Sequence, residues 1–467
     1  MLFHSVRFFY LFAAAFALYW GLRSQRARMV VLLCASIYFY ARWNPWLVGL
    51  VLGTALFDYW IAIRIQDTED PRRRRLLLSA SLCVTLGLLA FFKYTNFLVS
   101  LVWPAARALG AGGAAPFFHI VLPLGISFYT FETVSYVVDV YRRRLPAERK
   151  LLDYSLFLLF FPHLIAGPIV RPADFLPQLR VLQRFDWTRM ELGLRFFVLG
   201  FIKKAVIADQ VALLVDPVYA APGDYSSGAL WAATVAYAIQ IYCDFSGYSD
   251  MAIGCAHAFG LRLPQNFDLP YFSLNIAEFW RRWHISLSGW LRDYLYIPLG
   301  GNRGSSAATY RNLLVTMLLG GLWHGAAWTF VLWGAYHGAL LALHRALPWP
   351  GWLDRPVFAP ARAGVTFLCV CLGWVLFRAR SLADAGTIYA RLLAPATGIA
   401  LPPELIAGFA LLLAVVLAAH VVGRFTDVDA LARRLPVPLA AAALAAALVA
   451  AQLFMPDEGG AFIYFQF

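Results

Sequence analysis

His324 is the residue of this sequence whose surroundings best suit proton-transfer chemistry. It lies in the run from Leu322 to Trp328, between two tryptophans and inside a long apolar segment. Removing an imidazole from water disfavours its charged form, so a neutral ring is expected at physiological pH. A neutral imidazole accepts a proton from an attacking hydroxyl as a general base. The alternative is a buried histidine that only hydrogen-bonds a backbone carbonyl, and the residues alone leave both open.

A second polar cluster surrounds His284, in residues 278–288. If this run is one helix, Arg281 and His284 share a face, because they are three residues apart. Such a face could hold a carboxylate, a phosphate or a thioester-bearing cofactor. An amphipathic interfacial helix, with arginines at lipid headgroups and tryptophans at the boundary, explains the same pattern. Both interpretations stay open at this point.

The third cluster surrounds Asp244, in residues 242–250. Asp244 is a candidate for orienting a histidine or binding a donor group, whereas Asp250 could cap a helix. The run lacks the second glycine of a hydrolase nucleophile elbow, which argues against a serine hydrolase. His284 and His324 are 40 residues apart and lack HExxH spacing, so no metal site is expected.

The elements that position these residues are predicted to be membrane helices. Hydrophobic residues make up 61% of the 467 residues and charged residues only 14%, against roughly 25% charged in soluble proteins. Apolar runs of about 18–20 residues, enough to cross ~30 Å of hydrocarbon, recur along the chain. The net charge of +13 lies in short clusters between these runs, which argues against nucleic-acid binding. The predicted spans are 2–22, 29–43, 46–63, 76–92, 120–141, 151–166, 192–215, 229–243, 311–345, 363–377, 405–423 and 437–454. The span 311–345 is long, and Gly320 and Gly321 predict a break in it.

Clusters of arginine predict the orientation of the chain, because positively charged loops favour the cytoplasmic side. Three such clusters lie at residues 23–28, 72–75 and 142–150, and placing them inside puts the N-terminus outside. Residues 97–109 are predicted to lie in the interface rather than to span. A cytoplasmic loop at residues 424–434 would place the tail, residues 455–467, outside. Arg378 fits this scheme only if its short loop is external.

Four sequence blocks, in this order, resemble the membrane-bound O-acyltransferase family. They are Phe161-Pro162-His163-Leu164-Ile165-Ala166-Gly167-Pro168-Ile169, Asp244-Phe245-Ser246-Gly247-Tyr248-Ser249-Asp250, Phe279-Trp280-Arg281-Arg282-Trp283-His284-Ile285-Ser286-Leu287-Ser288 and Leu322-Trp323-His324-Gly325. The chain is similar to the bacterial branch of that family, which includes the alginate O-acetyltransferase membrane component and the D-alanine exporter of teichoic acid modification. The resemblance extends over nearly the whole chain, including the closing residues 462–467.

The resemblance implies roles for both histidines and a fold. His324 matches the histidine of the Trp-His-Gly motif, the catalytic base, and His284 matches the second family histidine. The implied fold is an all-α polytopic membrane protein, with about 11–12 transmembrane or re-entrant helices in a ring around a central tunnel. Residues 1–467 form one domain in this interpretation, with a catalytic core at about 155–345 and C-terminal helices and tail at 363–467.

The resemblance also implies a reaction. The expected enzyme is an O-acyltransferase that moves an acetyl group from a cytoplasmic thioester across the inner membrane, for O-acetylation of an exported polysaccharide such as alginate. Acetyl-CoA or an acyl carrier protein thioester is the expected donor, with no bound cofactor. A periplasmic or surface acyltransferase that resembles an SGNH hydrolase is the expected partner. Asp244 and Arg281 are candidates for binding or positioning the donor.

The aromatic tail contains one nucleophilic side chain, Tyr464. The D-alanylation system is similar in using the aromatic C-terminal motif of a small partner as an acyl relay, so Tyr464 is a candidate acyl relay. An aromatic plug at the membrane interface is the alternative. Two other functions stay open for the whole chain. One is a transporter or export channel without covalent chemistry, and the other is an enzyme of the same family with a lipid or protein acceptor.

Overall fold

The computed structural model describes residue 3, residues 5–426 and residues 436–454. In these residues the chain is all-α, and the one β-type contact is an isolated bridge between Tyr225 and Ile399. The predicted all-α class is confirmed. Apolar runs form helices because a helix pairs every backbone N–H and C=O within its own segment, and hydrocarbon offers no other partner.

The helices are numbered here in chain order. The first eight are α1 (Val6–Gly21), α2 (Gln25–Ala41), α3 (Pro45–Asp67), α4 (Pro71–Ala108), α5 (Ile126–Tyr141), α6 (Leu151–Leu159), α7 (Phe161–Leu164) and α8 (Pro172–Leu179). The next five are α9 (Trp187–Phe201), α10 (Asp209–Ala220), α11 (Ser227–Ala258), α12 (Ile276–Arg282) and α13 (Ile285–Leu291). The last six are α14 (Ser306–His324), α15 (Trp328–Ala346), α16 (Ala359–Arg378), α17 (Leu382–Leu393), α18 (Pro403–Phe425) and α19 (Val437–Leu453).

Four helical segments are long and apolar enough to cross a membrane by length and composition: Pro45–Asp67, Pro71–Ala108, Pro356–Arg378 and Pro403–Phe425. Only 17% of the apolar window in α4 and 11% of that in α18 is buried inside the protein. Apolar side chains on such surfaces need lipid around them, because a large exposed apolar area is unfavourable in water. The chain is therefore a membrane protein with several lipid-facing helices.

The predicted spans overlap the helices but differ from them in several details. The span 151–166 is interrupted at Phe160, between α6 and α7, and α11 continues to Ala258, beyond the predicted end at residue 243. Residues 97–109 were expected at the interface, but residues 97–108 continue α4, which has 38 residues. At 1.5 Å per residue this helix is about 57 Å long and exceeds the hydrocarbon thickness. The predicted span 311–345 is broken, as its glycines suggested, because α14 ends at His324 and α15 begins at Trp328.

Contacts divide the chain into two compact units. One comprises Met1–Leu194 and Ala252–Pro264, and the other comprises Arg195–Met251 and Gln265–Phe467. His284, His324 and Asp244 all belong to the second unit. The single domain across residues 1–467, and the ring of helices around a tunnel, stay predictions.

Candidate active site

His324 lies at the tip of a tight hairpin of α14 and α15. The helix α14 ends there because Gly325 takes an extended conformation, with φ −160° and ψ 151°. A Cβ atom on Gly325 would overlap the ring of Phe330, so the ring packs closely only against glycine. A Cβ on Gly321 would likewise overlap the backbone carbonyl of Phe330. Close packing of the two helices therefore holds His324 in place.

The imidazole of His324 is surrounded by aromatic rings. The residue is 5% exposed, and the ring centroids of Trp323, Trp333 and Phe377 lie 4.9, 5.1 and 5.1 Å from its own. All three pack edge-to-face against it, the arrangement that aromatic pairs prefer. The burial predicted from the flanking tryptophans is confirmed. In such surroundings a charged imidazolium is costly, since few dipoles are available to solvate it.

The prediction that Arg281 and His284 share a helix face is wrong. The helix α12 ends at Arg282, and His284 precedes α13 with a left-handed backbone, φ 45° and ψ 56°. The chain breaks here because Asp268 N–H donates to the carbonyl of Arg282 and Ile285 N–H donates to the carbonyl of Asn266. A left-handed conformation costs a non-glycine residue about 1–3 kcal/mol and persists where surrounding contacts impose it.

Asn266 determines the orientation of His284. Its Oδ1 accepts hydrogen bonds from His284 Nδ1 at 3.1 Å, from Ser286 N at 3.2 Å and from Ser286 Oγ at 2.9 Å. The backbone N–H of Ser286 can only donate, so the atom that it meets is the amide oxygen. An amide oxygen only accepts, so His284 Nδ1 carries the hydrogen of the neutral ring. The Nδ2 of Asn266 in turn donates to Ser249 Oγ at 3.2 Å.

The other ring nitrogen of His284 is therefore a proton acceptor. His284 is 0% exposed, and its Nε2 has no hydrogen-bond partner among the residues that the structure describes. Burial lowers the pKa of His284, which lies outside the predicted spans, to about 3. The ring is therefore neutral at physiological pH. A buried acceptor that no protein group satisfies costs about 1–3 kcal/mol.

Trp323 brings the two histidines into one aromatic cluster. Its ring centroid lies 4.9 Å from that of His324 and 6.2 Å from that of His284. Phe245 of α11 also belongs to this cluster, because its ring packs edge-to-face against His284 with the centroids 4.6 Å apart. Two imidazoles that are 40 residues apart in the chain are thus neighbours of a single indole.

Asp244 is part of the scaffold beneath this cluster. It is buried, and its Oδ1 lies 2.6 Å from Lys204 Nζ. Lys204 also bonds Asp209 Oδ1 at 2.8 Å, and the neighbouring Lys203 bonds Asp250 Oδ2 at 2.6 Å. Both lysines lie in a π-helical turn, Ile202–Ala208, between α9 and α10. The ion pairs fasten this turn to α11, which presents Phe245 and Ser249 to the His284 network.

Replacing Lys204 with methionine is expected to destabilise the protein by about 3–5 kcal/mol, because it leaves buried carboxylates without their cation. The measurement is thermal unfolding of the purified protein in detergent, with abundance in membranes as a second readout. Lys150→Met is the matched control, since Lys150 is exposed. Equal unfolding temperatures for Lys204→Met and the wild type would contradict the scaffold role.

Two other predicted site residues are not part of the cluster. Arg281 is exposed in the last turn of α12, and its side chain makes no hydrogen bond or ion pair within the described part of the chain. Tyr464 lies outside the described residues. Their roles in binding the donor and relaying the acyl group stay predictions.

Sequence reasoning missed Asn266, Lys203 and Lys204. The signal for the lysines was present, because two adjacent cations in the predicted span 192–215 are expensive in a membrane and call for buried carboxylates. Asp244 and Asp250 are those carboxylates. Asn266 gave a weaker signal, because it is one of three amide side chains in the segment before the His284 block. Only its contacts reveal its role.

The region that contains the histidines and Asn266 also matches a protein family. The model of the membrane-bound O-acyltransferase family matches residues 143–348. A probable alginate O-acetylase of Pseudomonas syringae pv. tomato is 46% identical over 395 residues, which cover 83% of this chain and 74% of that protein. The chain belongs to the membrane-bound O-acyltransferase family. It is therefore an O-acyltransferase, as its sequence blocks predicted.

Two further relatives of this O-acyltransferase differ in the reaction that their names give. A peptidoglycan O-acetyltransferase of Helicobacter pylori is 39% identical over 384 residues, 76% of this chain and 71% of that protein. A teichoic acid D-alanyltransferase of Streptococcus thermophilus is 30% identical over 240 residues, 48% of this chain and 57% of that protein. All three relatives are named for reactions on polymers of the cell envelope or exterior.

Proposed function

We propose that this O-acyltransferase moves an acetyl group from a cytoplasmic thioester across the inner membrane for O-acetylation of an exported polysaccharide. The observation that carries the proposal is the pair of buried imidazoles on Trp323, inside the region that matches the family. The 46% identity to a probable alginate O-acetylase supports acetyl as the group and an alginate-like glycan as the final acceptor. Acetyl-CoA or an acyl carrier protein thioester is the proposed donor.

In the proposed reaction, His324 takes the proton of an attacking hydroxyl. The oxygen forms a bond to the thioester carbonyl carbon, the carbon–sulfur bond breaks, and the thiolate leaves and recovers a proton. The neutral imidazole is suited to this step, because a general base must start unprotonated. His284 accepts a hydrogen bond at Nε2 from an N–H or O–H of the substrate and so positions it. Asp244 supports this geometry through α11, and Arg281 offers an exposed cation to the donor.

The proposed direction of transfer depends on orientation. The arginine clusters at residues 23–28, 72–75 and 142–150 favour the cytoplasmic side, which places the N-terminus in the periplasm and puts the tail there as well. An acyl group delivered to that face needs a receiving enzyme. A periplasmic acyltransferase partner resembling an SGNH hydrolase is therefore proposed to esterify the glycan.

The test is the acyl-ester content of exported polysaccharide from cells that carry the wild type or an inactive variant at equal membrane abundance. Mass spectrometry of the released acid identifies the group, and analysis of the glycan identifies the acceptor. Acetate on the polysaccharide that disappears with the enzyme supports the proposal. Normal esterification without the enzyme, or an ester found only on lipid or protein, would contradict it. A transporter without covalent chemistry would keep its activity when both histidines are replaced by glutamine.

Tyr464 is the proposed acyl relay between the membrane site and the external partner. Tyr464→Phe removes only the nucleophilic oxygen and keeps the aromatic ring, so it separates acyl transfer from packing. We expect polysaccharide acetylation to fall to the background level while the abundance of the protein in membranes stays at the wild-type level. The control is Phe465→Tyr in the same tail. Wild-type acetylation in the Tyr464→Phe strain would exclude the relay.

A further inference from the structure

Arginines that the acyl-transfer site does not use surround a cavity in the first unit. This arginine cavity has a volume of about 380 Å³ and is lined by Asp186, Thr188, Arg189, Leu192, His257 and Arg262. It lies between the first turn of α9 and the segment that follows α11. Two guanidinium groups face one carboxylate there, so the lining carries a net positive charge.

The arginine cavity is held in shape by specific contacts. Arg189 Nη1 donates to Gln183 Oε1 at 3.1 Å and to the Gly260 carbonyl at 3.2 Å. Gly260 has φ +78°, and a Cβ there would stand 2.9 Å from Arg189 Nη1. The backbone of Arg262 is fixed by Gln178, which accepts from its N–H at 2.8 Å and donates to its carbonyl at 3.2 Å. The guanidinium group of Arg189 and the backbone of Arg262 are therefore held in fixed positions.

The guanidinium groups in the cavity retain hydrogen-bonding capacity. A guanidinium has five N–H donors, and Arg189 uses only those of Nη1. The side chain of Arg262 is exposed and makes no hydrogen bond or ion pair with any residue in the described ranges. In the described part of the chain Asp186 forms no ion pair with either arginine, and its Oδ1 accepts from Thr188 N at 2.9 Å and caps α9. Guanidinium groups with free donors bind phosphate through paired, charge-assisted hydrogen bonds.

A second cavity, of about 470 Å³, is lined by residues 182–185, which directly precede Asp186 of the arginine cavity. It extends the positive surface. Its lining includes Arg23, Arg28 and Arg184. Arg28 is structural, since it donates to the carbonyls of Leu22 and Gln183 at 2.9 and 2.6 Å. Arg23 and Arg184 are exposed and have no partner within the residues described.

Exposed aromatic rings beside these arginines indicate where the cavity lies relative to the membrane. Trp187 is 79% exposed and packs edge-to-face on Phe185 at 4.9 Å, and Phe185 packs on Trp20 at 5.2 Å. Tryptophan favours the membrane–water interface, at the level of the lipid headgroups. A cationic cavity at that level faces the phosphates of the bilayer.

We propose that the arginine cavity binds the phosphate of an anionic phospholipid headgroup at the cytoplasmic surface. The guanidinium groups of Arg189 and Arg262 bind the phosphate, and the ring of Trp187 lies against the interfacial part of the lipid. The phosphates of CoA share this chemistry, so the experiment compares the two ligands directly. Basic pockets at the cytoplasmic ends of membrane helices are suited to anionic headgroups.

The proposal is tested with the full chain purified in detergent, by titrating fluorescent phosphatidylglycerol and, separately, CoA. Removing two arginines at about 1 kcal/mol each is expected to weaken phosphatidylglycerol binding by about thirtyfold in Arg189→Gln/Arg262→Gln. Phosphatidylcholine, which has a phosphate but no net charge, is expected to bind the wild type much more weakly. Arg262→Gln alone is the second variant, because its side chain supports no other residue and its loss leaves the fold intact.

Arg72→Gln/Arg73→Gln is the matched control. It removes the same charge from the first turn of α4, where both side chains are exposed. It is expected to bind phosphatidylglycerol within about twofold of the wild type, since only the cavity arginines contact the phosphate. If the control lost as much phosphatidylglycerol binding as the cavity variant, general charge attraction would explain the effect. The proposed lipid site would then be overturned. Retained lipid binding in both cavity variants, or loss of CoA binding with lipid binding unchanged, would also overturn it.

Discussion

Replacing His324 with alanine is expected to lower the rate of acyl transfer by about 10²–10⁴-fold, the contribution of a general base. The physical reason is that the proposed base is lost and alanine offers no proton acceptor in its place, at a position buried among Trp323, Trp333 and Phe377. The measurement is transfer of labelled acetyl from acetyl-CoA in membranes or proteoliposomes, with protein abundance matched by immunoblotting.

Two controls separate loss of the base from loss of the fold. His344→Ala removes an imidazole from the last turn of α15, outside the aromatic cluster, and should leave the rate unchanged. His324→Gln keeps a polar side chain of similar size among the surrounding aromatic rings, so a folded but inactive protein is expected. A His324→Gln enzyme with more than about a tenth of the wild-type rate would show that the base lies elsewhere, since loss of a base costs at least 10²-fold.

Asn266→Asp is expected to make the rate of acyl transfer depend on pH between about 5 and 8. In the wild type, His284 does not change its protonation state in that range. Burial lowers the pKa of His284 to about 3, so the wild-type ring is neutral throughout that window. A carboxylate in place of the amide, at the 3.1 Å contact with Nδ1, favours the imidazolium and raises the pKa. Protonation fills Nε2, so activity falls as the pH decreases and recovers as it increases.

Asn266→Leu provides the other half of this test. It keeps the side-chain volume but removes the hydrogen-bond acceptor for His284 and Ser286. Neither the Nδ1–H tautomer of His284 nor the orientation of its ring is then fixed. We expect a loss of about 10–100-fold, similar to that for orienting partners of catalytic or metal-binding histidines, with no shift along the pH axis. The rate–pH profile separates the two variants. If Asn266→Asp followed the wild-type profile, Asn266 would be a structural residue only.

The hydrophobic pattern was enough to predict most of the helices. Long apolar runs such as α3 and α18 form helices in any membrane, because the backbone must satisfy itself within each segment. Local chemistry accounts for where several elements begin: α3 begins at Pro45 after Asn44, whose side chain accepts from Trp46 N–H, and α4 begins at Pro71 after Asp70. A break in the span 311–345 was predicted as well, from Gly320 and Gly321, and α14 ends just after them, at His324.

Helical periodicity failed at residues 278–288. The pattern is typical of one amphipathic helix with Arg281 and His284 on a shared face, yet α12 and α13 are separate. Backbone hydrogen bonds from residues 266 and 268 replace the helical pairing across residues 282–285. No local pattern records that competition, because the two segments are joined by a loop and meet only in the folded chain.

Hydropathy and flanking residues act locally, so they were enough to predict a helical membrane protein with His324 in an aromatic, desolvated environment. The partners of His284 and Asp244 become visible only in the packed fold. Asn266 is 18 residues from His284, and Lys204 is on a different helix from Asp244. Buried polar groups must find partners wherever the fold brings donors and acceptors together. Such pairing depends on distances across the packed chain, which a linear pattern does not contain.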